Sequence, residues 1–195
     1  GWGPMWGRHR SSPTPDELRL QAYHALSSRI TSLYWFNLSL RSLVKYRDTM
    51  DELTRVGREI QLLADFYLKG DAYRYQRVLR EGRPDWDLAS IVTPQATLLF
   101  ALDLDYAPDV EERVFQFGPS RAAVLQFDLP VWQRAPADVF RIDADGTYDV
   151  EYAITDAGIE VRDVLHKVGL YIVTKQPELR AQLESRLQEL VEYEA

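Results

Sequence analysis

The chain has 195 residues, 46% hydrophobic and 27% charged, a balance that supports a buried core and excludes wholesale disorder. At about 150 residues per domain, that is one large domain or two small ones. It has no cysteine, which excludes disulfide scaffolds, thiol nucleophiles and thiolate zinc sites, but leaves the compartment open, an extracellular or periplasmic one included. The net charge of −7 argues against a nucleic-acid partner, whose binding rests on Lys and Arg neutralising phosphates. No apolar run approaches the roughly 20 residues of a membrane span.

The start at Gly1, with the first methionine at Met5, reads as a piece of a longer polypeptide. Charge is uneven: residues 1–80 carry net +5 and residues 81–195 net −12. The two parts either attract each other across a shared interface or present separate solvated surfaces. Thr14-Pro15-Asp16-Glu17 is a capping box with Pro at the first helical position, and Leu18, Ala22, Ala25 and Leu26 follow at the spacing of one helical face. Next, Ile30–Leu38 is apolar and aromatic on both alternating faces, the pattern of a strand covered on both sides in a parallel sheet. A second capping box, Thr49-Met50-Asp51-Glu52, predicts a helix over 49–69 with Leu53, Val56, Ile60, Leu63 and Tyr67 on its buried face and Gly70 as its stop.

Residues 71–94, with Gly82, Pro84 and Pro94, read as a connecting segment holding one short helix. The period then changes to two. Strands are predicted at 96–105 and 122–128, followed by a run of hairpins over 138–174 with turns at Asp145-Gly146 and Ala157-Gly158. Leu179, Leu183, Leu187, Leu190 and Val191 line one face of a closing helix. The division is therefore residues 1–75, a connector over 76–93, and an antiparallel β-sandwich with a C-terminal helix over 94–195.

Candidate chemistry is sparse. His9, His24 and His166 have no metal-ligand spacing and read as structural, and Asp143-Ala144-Asp145-Gly146 reads as a turn, not a calcium loop. The sequence gives no sign of a cofactor or a metal. Asp103, Asp105, Asp109, Glu111 and Glu112 read as a solvated acidic surface. The Tyr34-Trp35-Phe36-Asn37 stretch carries more information, because flat aromatic faces beside an amide suit a sugar's C–H groups and hydroxyls. On a strand, Leu33, Trp35 and Asn37 share one face, and Tyr34, Phe36 and Leu38 the other. The all-apolar set suits packing on helices, which leaves Trp35 and Asn37 for a ligand.

The run Pro13–Leu26 followed by Leu33-Tyr34-Trp35-Phe36 resembles the last part of a TIM-barrel glycoside hydrolase. The resemblance covers residues 13–70 and implies helix seven at 15–28, strand eight at 30–38 and helix eight at 49–69 of a (β/α)8 barrel. The later residues resemble, by architecture, the β-sandwich appended to such barrels. The implied fold class is α/β followed by all-β, and the implied activity is hydrolysis of a polysaccharide or oligosaccharide. The catalytic carboxylates would lie upstream of Gly1, on barrel strands this chain requires as partners. Within the chain the expected sugar contacts are Trp35 and Asn37, with Trp2, Trp6 and Arg8 near the rim. The alternative is a non-catalytic carbohydrate- or protein-binding module, with Trp132 and either Phe127 or Phe140 as its platform.

Overall fold

In the computed structural model, residues 12–30, 32–35, 44–112 and 114–194 are described. Helix α1 (Pro15–Ser27) begins at the predicted capping box: the Glu17 N–H donates to Thr14 Oγ1 (3.2 Å) and the Thr14 N–H to Glu17 Oε2 (2.9 Å). The second capping box does not form. Helix α2 (Arg47–Leu62) starts two residues earlier than predicted, with Tyr46 at its N-cap and no side-chain cap. Thr49 is buried inside it and donates its hydroxyl to the Pro13 carbonyl (2.9 Å), while Glu52 turns to Arg19 (2.7 Å). A break at Leu63 separates α2 from the short α3 (Ala64–Lys69), so the predicted helix 49–69 is two helices. Gly70 ends α3 as expected, but for space: a Cβ there would lie 2.5 Å from Ile91 Cγ2 and 2.6 Å from the Phe66 carbonyl.

All strand pairing among the described residues is antiparallel. Strands β1 (Asp71–Arg80), β2 (Arg83–Val92), β3 (Ala96–Asp103), β7 (Asp138–Ile142), β8 (Thr147–Asp149) and β11 (Val168–Thr174) form a six-stranded sheet in the order β1-β2-β3-β11-β7-β8. Strands β6 (Arg121–Asp128), β10 (Gly158–Leu165) and β9 (Glu151–Ile154) form a second sheet. A small hairpin joins β4 (Tyr106–Asp109) to β5 (Val114–Phe117). The last helix, α4 (Leu179–Glu194), buries Leu183 and Leu187.

Two cores divide at the large sheet. On one face Ala89, Ile91, Leu98, Phe100, Leu102, Phe140, Ile142, Leu170 and Ile172 meet the buried sides of α1, α2, α3 and α4. On the other, Trp86, Leu88, Leu99, Ala101, Tyr171 and Val173 meet Leu125, Phe127, Ile159 and Val161 of the small sheet. The protein is thus a mixed α/β molecule with three layers: helices, a six-stranded sheet and a three-stranded sheet.

Three expectations change. Residues 76–93, read as a connector, build most of the β1–β2 hairpin, whose turn is made by Glu81 and Gly82 at φ 51° and 78°. The run of hairpins is split between two sheets, because the chain crosses at Val150 and again at His166-Lys167, where Lys167 takes φ 65°. Of the predicted strand 30–38, Ile30 and Ser32–Trp35 carry no strand pairing. A parallel-type strand needs parallel neighbours, and every pairing among the described strands is antiparallel.

Candidate functional site

Trp35 is half-buried and packs with Ile30 and Leu33 against the helix-side core, while Tyr34 between them is 87% exposed. Leu33 and Trp35, expected to face a ligand, pack on this core. Asn37, Trp2, Trp6 and Arg8 lie outside the described residues. Trp132 is 55% exposed, whereas its expected partners Phe127 and Phe140 are buried in opposite cores. Among the described residues there is no cluster of three or more His, Asp or Glu suited to a metal ion, and no helix is long and apolar enough to cross a membrane.

A cavity of about 880 Å³ opens where the β1–β2 turn, the end of β3 and the β4–β5 hairpin converge. Its floor is a lattice of arginines and aspartates. Arg77 forks onto the buried Asp87 (Nε to Oδ1 2.7 Å, Nη2 to Oδ2 2.8 Å). Arg121 forks onto the buried Asp103 (3.0 and 2.7 Å) and reaches Asp85 (2.7 Å), with its guanidinium 4.2 Å from the centre of the Trp86 ring. Arg80 joins Asp85 at 3.2 Å. Burial pushes the Asp87 carboxyl up, but hydrogen bonds from Arg77 and Tyr75 outweigh it and hold Asp87 below its ordinary value. His24, with Nδ1 3.9 Å from Asp87, is lowered by its own burial despite that carboxylate. Tyr106 and Phe117, 5.4 Å apart at their ring centres, form an aromatic wall. Arg83 also lines the cavity and has no ion-pair partner among the described residues.

Bidentate arginine–carboxylate pairs fix planar donors and acceptors in place. The lining arginines are offset by Asp85, Asp105, Glu81 and the underlying Asp87 and Asp103, so the cavity is close to charge-balanced. Such a surface matches a ligand that both donates and accepts hydrogen bonds and has a face to lay on a ring. It is a poor match for a polyanion. Sequence reasoning missed it because β1 and β2 were read as a connector and Asp103 as solvated. The available signal was Asp85-Trp86-Asp87-Leu88, whose period of two puts carboxylates on one face of a strand and apolar residues on the other.

A second polar cluster has a different character. Glu59, 1% exposed, accepts from Arg19 Nη2 (2.6 Å), the Tyr23 hydroxyl and the Ala144 N–H (2.9 Å). Burial, reinforced by the Glu59 charge, raises the Tyr23 pKa well above its ordinary value. Arg58 donates to the Ala144 carbonyl (3.0 Å) and Arg55 forks onto Asp145 at 2.7 Å. This cluster clamps α1 and α2 onto the β7–β8 turn and leaves no free group for chemistry.

Comparison with known protein families, characterised proteins and solved structures gives no match for the chain.

Proposed function

We propose that the chain is the C-terminal portion of a glycoside hydrolase-like protein acting on a polysaccharide or oligosaccharide. In this reading upstream strands of the same polypeptide, which also carry the catalytic carboxylates, supply the parallel neighbours that residues 30–38 need, residues 13–70 close a (β/α)8 barrel, and the antiparallel sheets form the appended module. The run Pro13–Leu26 with its formed capping box supports the hydrolase assignment. The observation that carries the substrate class is the cavity at Arg83. Its charge-balanced lattice of oriented donors and acceptors beside the Tyr106–Phe117 wall has the chemistry of a polyhydroxylated ligand.

The test is made on the complete polypeptide. Its upstream coding sequence should contain about six further βα units, and the protein should release reducing ends from a polysaccharide. Arg83→Ala removes an exposed side chain, so Tm should hold while kcat/KM falls about tenfold, or about 1.4 kcal/mol of transition-state binding. A coding sequence without upstream βα units, or a complete polypeptide that cleaves no glycosidic bond, would overturn the reading.

A further inference from the structure

Exposed tryptophan on a rigid turn is the most informative surface feature left over. Trp132 lies in the 3-10 turn Val131–Gln133 ahead of β7. Its neighbours are firmly held. Gln133, 1% exposed, accepts from the Thr97 hydroxyl (2.6 Å) and donates to the Thr93 carbonyl (3.2 Å). Arg134 donates to the Leu129 carbonyl (3.2 Å) and to the Asp156 carbonyl. The Trp132 ring nonetheless stays more than half exposed. The held backbone fixes where the uncovered indole is presented, and an indole has only two side-chain torsions to lose on binding.

Trp132 does not stand alone. It lines an open cleft of about 560 Å³ with Tyr73, Pro94, Lys69, Asp71 and Thr93. Tyr73 sits where the β1–β2 register shifts between Ala72 and Arg74, and it remains 42% exposed. Bulges of this kind re-aim side chains. At the rim, Asp71 pairs with Arg29 at 3.6 Å and Lys69 with Asp65 at 3.2 Å, and both Asp71 and Lys69 stay mostly in solvent, with capacity for further hydrogen bonds. Two aromatic rings with a carboxylate and an ammonium at the edge offer stacking faces together with an acceptor and a donor.

We propose that the Trp132–Tyr73 cleft is a saccharide-binding site, with sugar rings lying on the two aromatic faces and hydroxyls meeting Asp71 and Lys69. A saccharide is favoured over an apolar peptide because the rim carries charges of both signs and both aromatic side chains are exposed in an open cleft. This site does not rest on the hydrolase reading: it would serve a stand-alone binding module equally well.

The 195-residue chain is run in native gels containing mixed-linkage glucan, xylan, glucomannan or pectin, and the retarding polymer is then titrated by calorimetry. At least one polymer should retard the chain. Trp132→Ala and Tyr73→Ala should each weaken that binding at least tenfold with unchanged Tm, and Trp132→Phe should retain part of it. The proposal is overturned if none of the four retards the chain, or if the alanine variants bind as the parent does. Loss of retardation in Arg83→Ala but not in Trp132→Ala would also overturn it, by assigning the sugar to the larger cavity. So would a dimer seen by sedimentation that Trp132→Ala dissociates, since the face would then belong to a second copy. Cleavage is not required for any of these outcomes, so failure of the hydrolase reading leaves this test intact.

Discussion

Two buried tyrosines in the helical layer show how one hydroxyl changes sign with its surroundings. The Tyr23 hydroxyl donates to the buried Glu59, whereas the Tyr67 hydroxyl is buried with no hydrogen-bond partner among the described residues. Tyr23→Phe leaves a buried carboxylate short of one donor and should cost about 1–3 kcal/mol. Tyr67→Phe removes an unmatched polar group and should be neutral or stabilising by about 1 kcal/mol. Denaturant melts of both variants check the pair, and a loss of stability in Tyr67→Phe would mean that its hydroxyl is satisfied. His24 gives a pH signature. Its folded pKa lies below its ordinary value near 6.5 because burial disfavours the charged ring. The unfolded chain therefore binds the proton first, and stability falls as pH drops from about 6.5 through the folded pKa. Asp87, held below its ordinary range, adds a later loss as pH falls through its own folded value. The His24 step is small, because the ring is 36% exposed. In Tm measurements from pH 7 to 5, His24→Gln should flatten the first part of the decline, and an unchanged slope would assign it to other groups.

Among the elements, the glycine that opens β10 bears the tightest contact. A Cβ on Gly158 would lie 2.0 Å from the Phe127 carbonyl oxygen and 2.5 Å from the Leu129 nitrogen, both backbone atoms of the paired strand's end. Neither is the far end of a flexible side chain, so Gly158→Ala must push β10 away from β6. The expected cost is about 1–3 kcal/mol, and Gly57→Ala, where a Cβ meets nothing within 4 Å, is the matched control with no such loss. Parallel urea melts decide it. The same turn shows what was legible in sequence. Ala157-Gly158 and Asp145-Gly146 were readable as turns because a turn's chemistry is local: the Asp143 carboxylate accepts from the Asp145 and Gly146 N–H groups at 2.9 and 3.2 Å. The strands predicted at 96–105 and 122–128, the last two strands of the run over 138–174 and the closing helix were readable from their periods. The β1 strand was not, because it is exposed on nearly every residue of both faces and so has no alternation to detect. Nor was the start of α2 legible, since Thr49 is claimed by the distant Pro13 carbonyl. The cavity at Arg83 depends on β1 and on pairings such as Arg121 with Asp103, which join residues far apart in sequence. Period and spacing carry no record of such pairings.

At the scale of the molecule, the uneven charge of the two parts is realised as a set of pairings. Arg55 meets Asp145, Arg74 meets Asp128, Arg77 meets Asp87 and Arg80 meets Asp85, each joining a cation from residues 1–80 to an anion from 81–195. The Arg55, Arg74 and Arg80 pairs are largely exposed and individually weak, while Arg77 forks onto the buried Asp87. The stronger bond is apolar, since Leu18, Ala22, Tyr23, Val56, Leu62 and Phe66 from the helices share one buried cluster with Ile91, Leu98, Phe100, Phe140 and Ile172 of the large sheet. The helix-facing side of the sheet is buried by those helices together with Leu183 and Leu187 of α4. The intact chain should therefore lose its helices and its large sheet in one cooperative thermal transition. A chain of residues 71–195, lacking α1, α2 and α3, would expose the parts of the face holding Ile91, Leu98, Phe100 and Ile172 that those helices cover. It should bind a hydrophobic dye and lose its sharp calorimetric peak, keeping strand signal without fixed packing. A 71–195 chain that melts sharply within a few degrees of the whole protein would show instead that the sandwich is an independent domain, with the helices docked on a face that is stable without them.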